Sequence, residues 1–258
     1  MTTILILAGK RDGALDPLAS AAGTTHKCVV PVAGKPMIGW VLEAAEATGL
    51  PVVVSINDPA LLGSFDVVHR LQAAGRLSFA VSHANLVESV HAAAQGFPLM
   101  ITTADNVLVT PDALIEADRA AKAQGASAMV AFARKESIQA AHPDGQRRFY
   151  PFRDGEYSNC NLFWLKDHDA LRIADTFREG GQFVKHPRRI INAFGLINLV
   201  RFRFGLASLD GLMASLSRRF GMKVVAHVFA DGRLAIDVDN DRTLRVAEEL
   251  LAIGRGAG

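Results

Sequence analysis

The sequence predicts a mixed α/β fold, with a mostly parallel central sheet and helices on both faces. Three observations predict it. Short apolar runs alternate with amphipathic helical stretches from Thr3 to about Lys135, the pattern of successive βαβ units. The runs are apolar at consecutive positions, as in strands buried on both sides. Asp154-Gly155 lies between two arms, 147–152 and 157–165, which signals an antiparallel hairpin within the otherwise parallel set.

The elements follow in order. The run 3–7, closed by Ala8-Gly9, is the first buried strand. An irregular stretch fills 10–35, and Pro36 opens a helix over 37–48 as its first helical residue, with Gly49 ending it. Strand 51–56, helix 60–74, strand 77–81, helix 86–94, strand 99–103, helix 111–124 and strand 126–132 continue the alternation. After the hairpin, 167–178 is helical, and the basic stretch 180–221 forms helices over the sheet edge. Strands at 223–229 and 234–238 and a closing helix over 241–253 complete the chain.

Composition narrows the function. Half of the 258 residues are apolar, enough for a sizeable core in one domain. A net charge of +2 gives no nucleic-acid coat and no electrostatic membrane anchor. No run approaches the ~20 apolar residues that span a bilayer, and the N-terminus lacks a signal peptide's basic start. Two distant cysteines, Cys28 and Cys160, make neither a disulfide framework nor a zinc motif. These features predict a cytoplasmic protein. A homodimer is compatible with them.

In open parallel sheets, ligands bind beyond the carboxyl ends of the strands. The loop leaving Leu7 carries Gly9, Lys10, Arg11 and Gly13, and later Lys27. Small residues let backbone N–H groups approach phosphates, and the cations neutralise them. The loop is neither a Walker A motif nor G-x-G-x-x-G. Asp105 follows strand 99–103, and Asp237 and Asp239 follow the late apolar run. Carboxylates from distant strand ends can converge on Mg2+, which takes hard oxygen ligands alongside substrate phosphates. Each aspartate taken alone is equally a cap or turn residue.

Leu7-Ala8-Gly9, then Lys27, then Pro31-Val32-Ala33-Gly34-Lys35-Pro36-Met37-Ile38 resembles the opening of the MobA-like nucleotidyltransferases. Thr102-Thr103-Ala104-Asp105-Asn106 and the segment 235–244 resemble that family's central and late metal-binding segments. Three departures stand out: Lys10 replaces the second glycine, S-x-R-M-G is absent, and the loop between Gly9 and Lys27 is longer.

The resemblance implies a glycosyltransferase-A-like sheet and a Mg2+-dependent transfer of a nucleoside monophosphate from an NTP, CTP or GTP, to a phosphorylated small molecule. It puts Leu7, Ala8, Gly9 and Lys10 at the nucleotide, and Arg11 or Lys10, with Lys27, at the leaving pyrophosphate. Lys35 and Pro36 would shape the loop's return. Asp105 and Asp237 become metal ligands, with Asp239 a reserve ligand or the cap of the last helix. Asn159 and Asn161 become acceptor contacts. Lys185, in a basic cluster, sits near the reacting phosphates and the acceptor, and His83 and Ser89 lie where relatives read the base.

On this reading 1–258 is a single domain: 1–134 holds the nucleotide, 135–230 the acceptor, and 231–258 the metal aspartate and closing helix. Two other readings use the same residues. One is a glycosyltransferase whose D-x-D is 237–239. The other is a catalytically degenerate nucleotide-binding regulator, suggested by the altered loop.

Overall fold

A computed structural model describes residues 1–10, 15–175 and 206–256. Its sheet runs β10-β7-β9-β6-β1-β4-β5, with β8 added to β9. The strands are β1 (Thr3–Leu7), β4 (Val52–Ile56), β5 (Leu77–Val81), β6 (Leu99–Thr103), β7 (Ala128–Arg134), β8 (Tyr150–Phe152), β9 (Gly155–Leu165) and β10 (Val224–Phe229). β1 pairs in parallel with β4 and β6, β4 with β5, and β7 with β10. Among these strands only β9, between β6 and β7, runs in the opposite direction, and its hairpin partner β8 pairs with it antiparallel.

Both faces are covered. Helices α2 (Met37–Ala47), α3 (Asp66–Ala73), α5 (Pro111–Ala123) and α9 (Asp241–Gly256) bury one face with Ile4, Ile6, Met129 and Trp164. Helices α4 (Leu86–Ala93), α7 (Leu171–Asp175) and α8 (Leu209–Phe220) bury the other with Leu5, Ile101 and Leu165. Such strands must be apolar on both sides, which is why the runs lack alternation. The indole N–H of Trp164 donates to Asp118 of α5 at 3.0 Å, and the Thr2 hydroxyl donates to the same oxygen at 2.6 Å. One carboxylate thus ties α5 to two strands.

The part of that irregular stretch from 15 to 35 is more ordered than its composition indicates. It contains α1 (Pro17–Ala21), capped by the Asp16 side chain, and a 3-10 turn over Lys27–Val29. A two-stranded ribbon follows, β2 (Pro31–Val32) with β3 (Lys35–Pro36). Its turn residues Ala33 and Gly34 have φ of 50° and 80°, the positive pair of a type I′ turn. Ala33 tolerates this conformation where its N–H donates to Glu248 of α9 at 3.0 Å. Pro36 is the N-cap of α2 and not its first helical residue.

Two expected elements differ. The helix over 60–74 is broken into a 3-10 turn, Pro59–Leu62, and α3, with Gly63, Ser64 and Phe65 between them. The strand at 234–238 is absent: Gly232–Ala235 is a 3-10 turn followed by irregular chain. Its apolar residues are buried by packing instead of pairing. Asp231 accepts from the Arg233 N–H at 3.0 Å and nucleates the turn. Gly232 lies so close to α6 (Lys135–Ala141) that a Cβ there would sit 2.2 Å from the Ser137 carbonyl oxygen. Helix 167–178 is seen as a 3-10 turn, His168–Ala170, and α7; residues beyond Asp175 lie outside the described set. Within 180–221, α8 packs on β10, and the remainder to residue 205 is likewise outside it. A seven-residue helix, α6, had no periodic signal of its own.

Gly232→Ala is expected to cost at least about 1–3 kcal/mol, because the methyl meets backbone that cannot rotate away; urea titration monitored by tryptophan fluorescence measures it. Both cysteines are buried and free. Burial pushes the Cys28 thiol up to about 12 and also raises Cys160. Neither forms appreciable thiolate at pH 8, so a thiol-reactive chromogen is expected to label them only after denaturation.

Candidate active site

Three segments meet beyond the carboxyl ends of β1 and β6. The first leaves β1. The Ala8 N–H donates to the Ser55 carbonyl of β4 at 2.9 Å, extending the ladder by one residue. Gly9 and Lys10 then emerge exposed. A Cβ on Gly9 would lie 1.7 Å from Ser82 Oγ, so only glycine lets this loop lie against the end of β5. The Lys10 N–H donates to Asn57 Oδ1 at 2.5 Å, which pins the loop to the end of β4. Asn57 has no sequence signal beyond its place after a strand.

The second segment ends β6. The Leu7 carbonyl accepts from the Ala104 N–H at 3.0 Å, and the Thr103 hydroxyl donates to Asp105 Oδ1 at 2.5 Å. The third is the irregular chain after Ala235. The Val238 N–H donates to the Asp105 carbonyl at 3.0 Å and splices it beside β6. The Thr243 hydroxyl accepts from the Asp239 and Asn240 N–H groups at 2.8 and 3.2 Å, while Asn240 Oδ1 accepts from the N–H groups of Arg242 and Thr243. The cap of α9 is therefore built by Asn240 and Thr243, and the Asp239 carboxylate points elsewhere.

The result is a cluster of charges. Single carboxylate oxygens of Asp105, Asp237 and Asp239 all lie within 4.8 Å of one another. Lys27 joins them from the 3-10 turn after the basic loop, its Nζ 2.6 Å from Asp105 Oδ2 and 2.7 Å from Asp239 Oδ1. Burial alone would lower the Lys27 pKa; Asp105 and Asp239 outweigh it and hold the ammonium above the ordinary lysine range. Burial, with Asp239 and Asp105 adding to it, pushes the Asp237 carboxyl up to about 8. Asp105 and Asp239 share one ammonium, and the raised Asp237 adds a third oxygen donor that ionises readily only when a cation arrives. That donor set fits a hard divalent ion such as Mg2+.

The other expected site residues are distributed around this cluster. Lys10 lies near enough to His26 that, after burial, its charge is the next cause holding that imidazole below the ordinary range. Ser89 is buried, and its hydroxyl is taken up by the His83 N–H at 2.8 Å and by the His83 and Asn85 carbonyls at 3.2 Å. It shapes the 82–85 loop, on which His83 is exposed. Asn159 and Asn161 are half-buried on β9, and the Asn161 N–H donates to Asn159 Oδ1 at 2.9 Å. Asn161 has φ of 48° and sits where β9 slips register against β7. Lys35 pairs with Glu43 and lies 4.0 Å over the Trp40 ring, so it braces the ribbon and α2. Arg11 and Lys185 lie outside the described residues. Asn57, Thr103, Asn106 and Thr243, the last three within the segments that carry the resemblance but given no role by it, set the geometry of the acidic cluster and its loop.

The profile of the MobA-like NTP transferase domain matches residues 4–184. No curated protein matches the sequence. Among solved structures, a hypothetical transferase from Thermus thermophilus superposes with a TM-score of 0.73 at 24% identity, covering 94% of this chain and 98% of that one. CMP:2-keto-3-deoxy-manno-octonic acid synthetase complexed with CTP gives 0.57 at 16% identity, over 98% and 100% of the two chains. 4-Diphosphocytidyl-2C-methyl-D-erythritol synthase from Anaerococcus prevotii gives 0.55 at 9% identity, over 97% and 98%. The mixed sheet is the one these transferases share, and among the described residues no helix is long and apolar enough to cross a membrane. With a family profile spanning more than half its length, the chain belongs to the MobA-like NTP transferase family and is a nucleotidyltransferase.

Proposed function

We propose that this enzyme transfers a nucleoside monophosphate from an NTP to a phosphorylated small molecule, a sugar, polyol or lipid-precursor phosphate, in the cytoplasm. The observation that carries the reading is the meeting of Lys27 with Asp105, Asp237 and Asp239, beside the exposed Gly9-Lys10 loop. CTP and GTP are the favoured donors. CTP has the further support that two structural neighbours are named for cytidine nucleotides.

Asp105 and Asp237 would hold Mg2+, with Asp239 as a third oxygen donor. When bound, the ion supplies charge neutralisation and a template for the triphosphate. The protein's own part is positioning and charge. The Gly9 N–H faces the phosphates, while the Ala8 and Lys10 N–H groups are spent on Ser55 and Asn57 and fix the loop around it. The acceptor phosphate oxygen forms its bond to the α-phosphorus as the bond to the bridging oxygen breaks and pyrophosphate departs. Lys27, with Lys10 or Arg11, stabilises the charge gathering on that leaving group. A phosphate dianion brings its own electron pair, so no general base is required. Asn159 and Asn161 contact the acceptor, Lys185 the reacting phosphates, and the 82–85 loop with His83 and Ser89 the base.

Pyrophosphate release, screened over four NTPs and a panel of acceptor phosphates with and without Mg2+, tests the reading. Release needs an NTP, an acceptor and the metal together, and no sugar donor. Transfer seen only from a nucleotide sugar would make it a glycosyltransferase, and metal-independent NTP binding without turnover would make it a regulator. Asp105→Asn and Asp237→Asn are each expected to lower turnover about 10²–10³-fold and to abolish the Mg2+-induced rise in Tm. Lys27→Ala should separate two quantities. Freed of their ammonium, Asp105 and Asp239 bind Mg2+ more tightly in calorimetry, while pyrophosphate release slows about 10²–10³-fold.

A further inference from the structure

The β6–β9 ladder stops short of the acidic cluster. Its register runs Leu99↔Leu165, Met100↔Trp164 and Ile101↔Phe163, and goes no further. Beyond that point β6 continues through Thr102 and Thr103 to Asp105, while β9 stays on β7 and bulges at Asn161. The sheet is thus split between the strand that delivers Asp105 and the strand that carries Asn159 and Asn161.

Asn106 spans the split. Its side chain is buried, 1% exposed, and its Nδ2 donates to the Cys160 carbonyl at 3.0 Å and to Thr102 Oγ1 at 3.2 Å. The orientation of the amide is fixed by chemistry, since a carbonyl can only accept and the NH2 must face Cys160. Its Oδ1 is then left buried without a partner. Such an orphan costs about 1–3 kcal/mol, so the amide sits here for what its NH2 holds and at some expense of stability. What it holds is the backbone between the two candidate acceptor asparagines, fixed to the residue next to Asp105.

We propose that Asn106 is a positioning residue, a clasp across the β6–β9 split that sets the acceptor-bearing bulge of β9 relative to the Asp105 end of β6. The inference rests on the transferase reading for its kinetic consequence, but the clasp itself is independent of it. Asn106→Leu keeps the shape and removes both the donor and the orphan acceptor. Thr102→Val removes the other partner of Asn106 and leaves the Cys160 bond in place.

Two measurements on the whole protein test this. Amide hydrogen exchange of the free protein should show residues 160–163 exchanging at least about tenfold faster in Asn106→Leu, with β1, β4 and β5 unchanged and Thr102→Val like wild type. Uniform acceleration over the sheet, or none, overturns the clasp. Steady-state kinetics then use CTP·Mg2+ and whichever acceptor phosphate gives wild type its fastest pyrophosphate release. Asn106→Leu should lose about 10–100-fold in kcat/KM for the acceptor, with the KM for CTP within twofold of wild type. Equal losses for both substrates would reduce Asn106 to a purely structural part and overturn the positioning role. If wild type releases no pyrophosphate with any pair, the transferase reading fails, the acceptor role falls with it, and the exchange data alone decide the clasp.

Discussion

The Lys27 ammonium is the tie on which the candidate site depends. It reaches Asp105 at the end of β6 and Asp239 before α9, so a single charge joins segments separated by 78 and 212 positions in the chain. Without an ammonium there, the three carboxylates would face one another with nothing to offset their repulsion. Burial raises the Asp237 carboxyl most, and Asp239 and Asp105 raise it further, so the ammonium does not fully offset their charge. A half-buried group of this sign is costly by itself and is retained where a cation or a charged substrate completes it.

Backbone geometry makes that tie possible. Lys27 stands on a 3-10 turn whose following ribbon is fixed to α9 through Ala33 and Glu248. Asp105 is held by Thr103 from within its own loop and by Val238 from the late segment. The aspartates therefore do not hang on free loops. The Gly9-Lys10 loop is fixed in its turn by the Lys10 N–H bond to Asn57 and by contact with Ser82, so the exposed backbone of Gly9 and the Lys10 side chain need little reorganisation to meet a ligand.

Much of this arrangement was legible from the residues. The apolar runs gave the strands, because both faces of the sheet are covered and the pattern is hard to mistake. Strand ends then located Asp105, Gly9 and Lys10 at one edge. The late segment misled for a physical reason. Leu234-Ala235-Ile236 has a strand's composition, but β7 already has β9 and β10 as neighbours, so the run is buried as a turn against α6. Ser89 and Lys35 carry polar atoms that the fold consumes internally, and composition cannot distinguish a consumed hydroxyl or ammonium from an available one. Asn57 and Asn106 act through bonds to backbone 47 and 54 positions away, and Thr243 through capping N–H groups, and no spacing rule announces them.

The one reversed strand, β9, has a consequence for how the site divides. In a fully parallel sheet, β6 would have neighbours set by the same crossover pattern on both sides, and its ladder would extend to the carboxyl end. Here β9 enters from the opposite direction and pairs with β6 only as far as Ile101 and Phe163. Its upstream half, with Asn159 and Asn161, is registered on β7 and stiffened there by Phe132 and Tyr157 in edge-to-face contact. The β1, β4 and β6 ends can then keep one geometry while the β8–β9 hairpin changes its surface without disturbing their ladders. A fold divided in this way needs few bonds across the division, and the buried amide of Asn106 is one whose alignment is fixed on both sides.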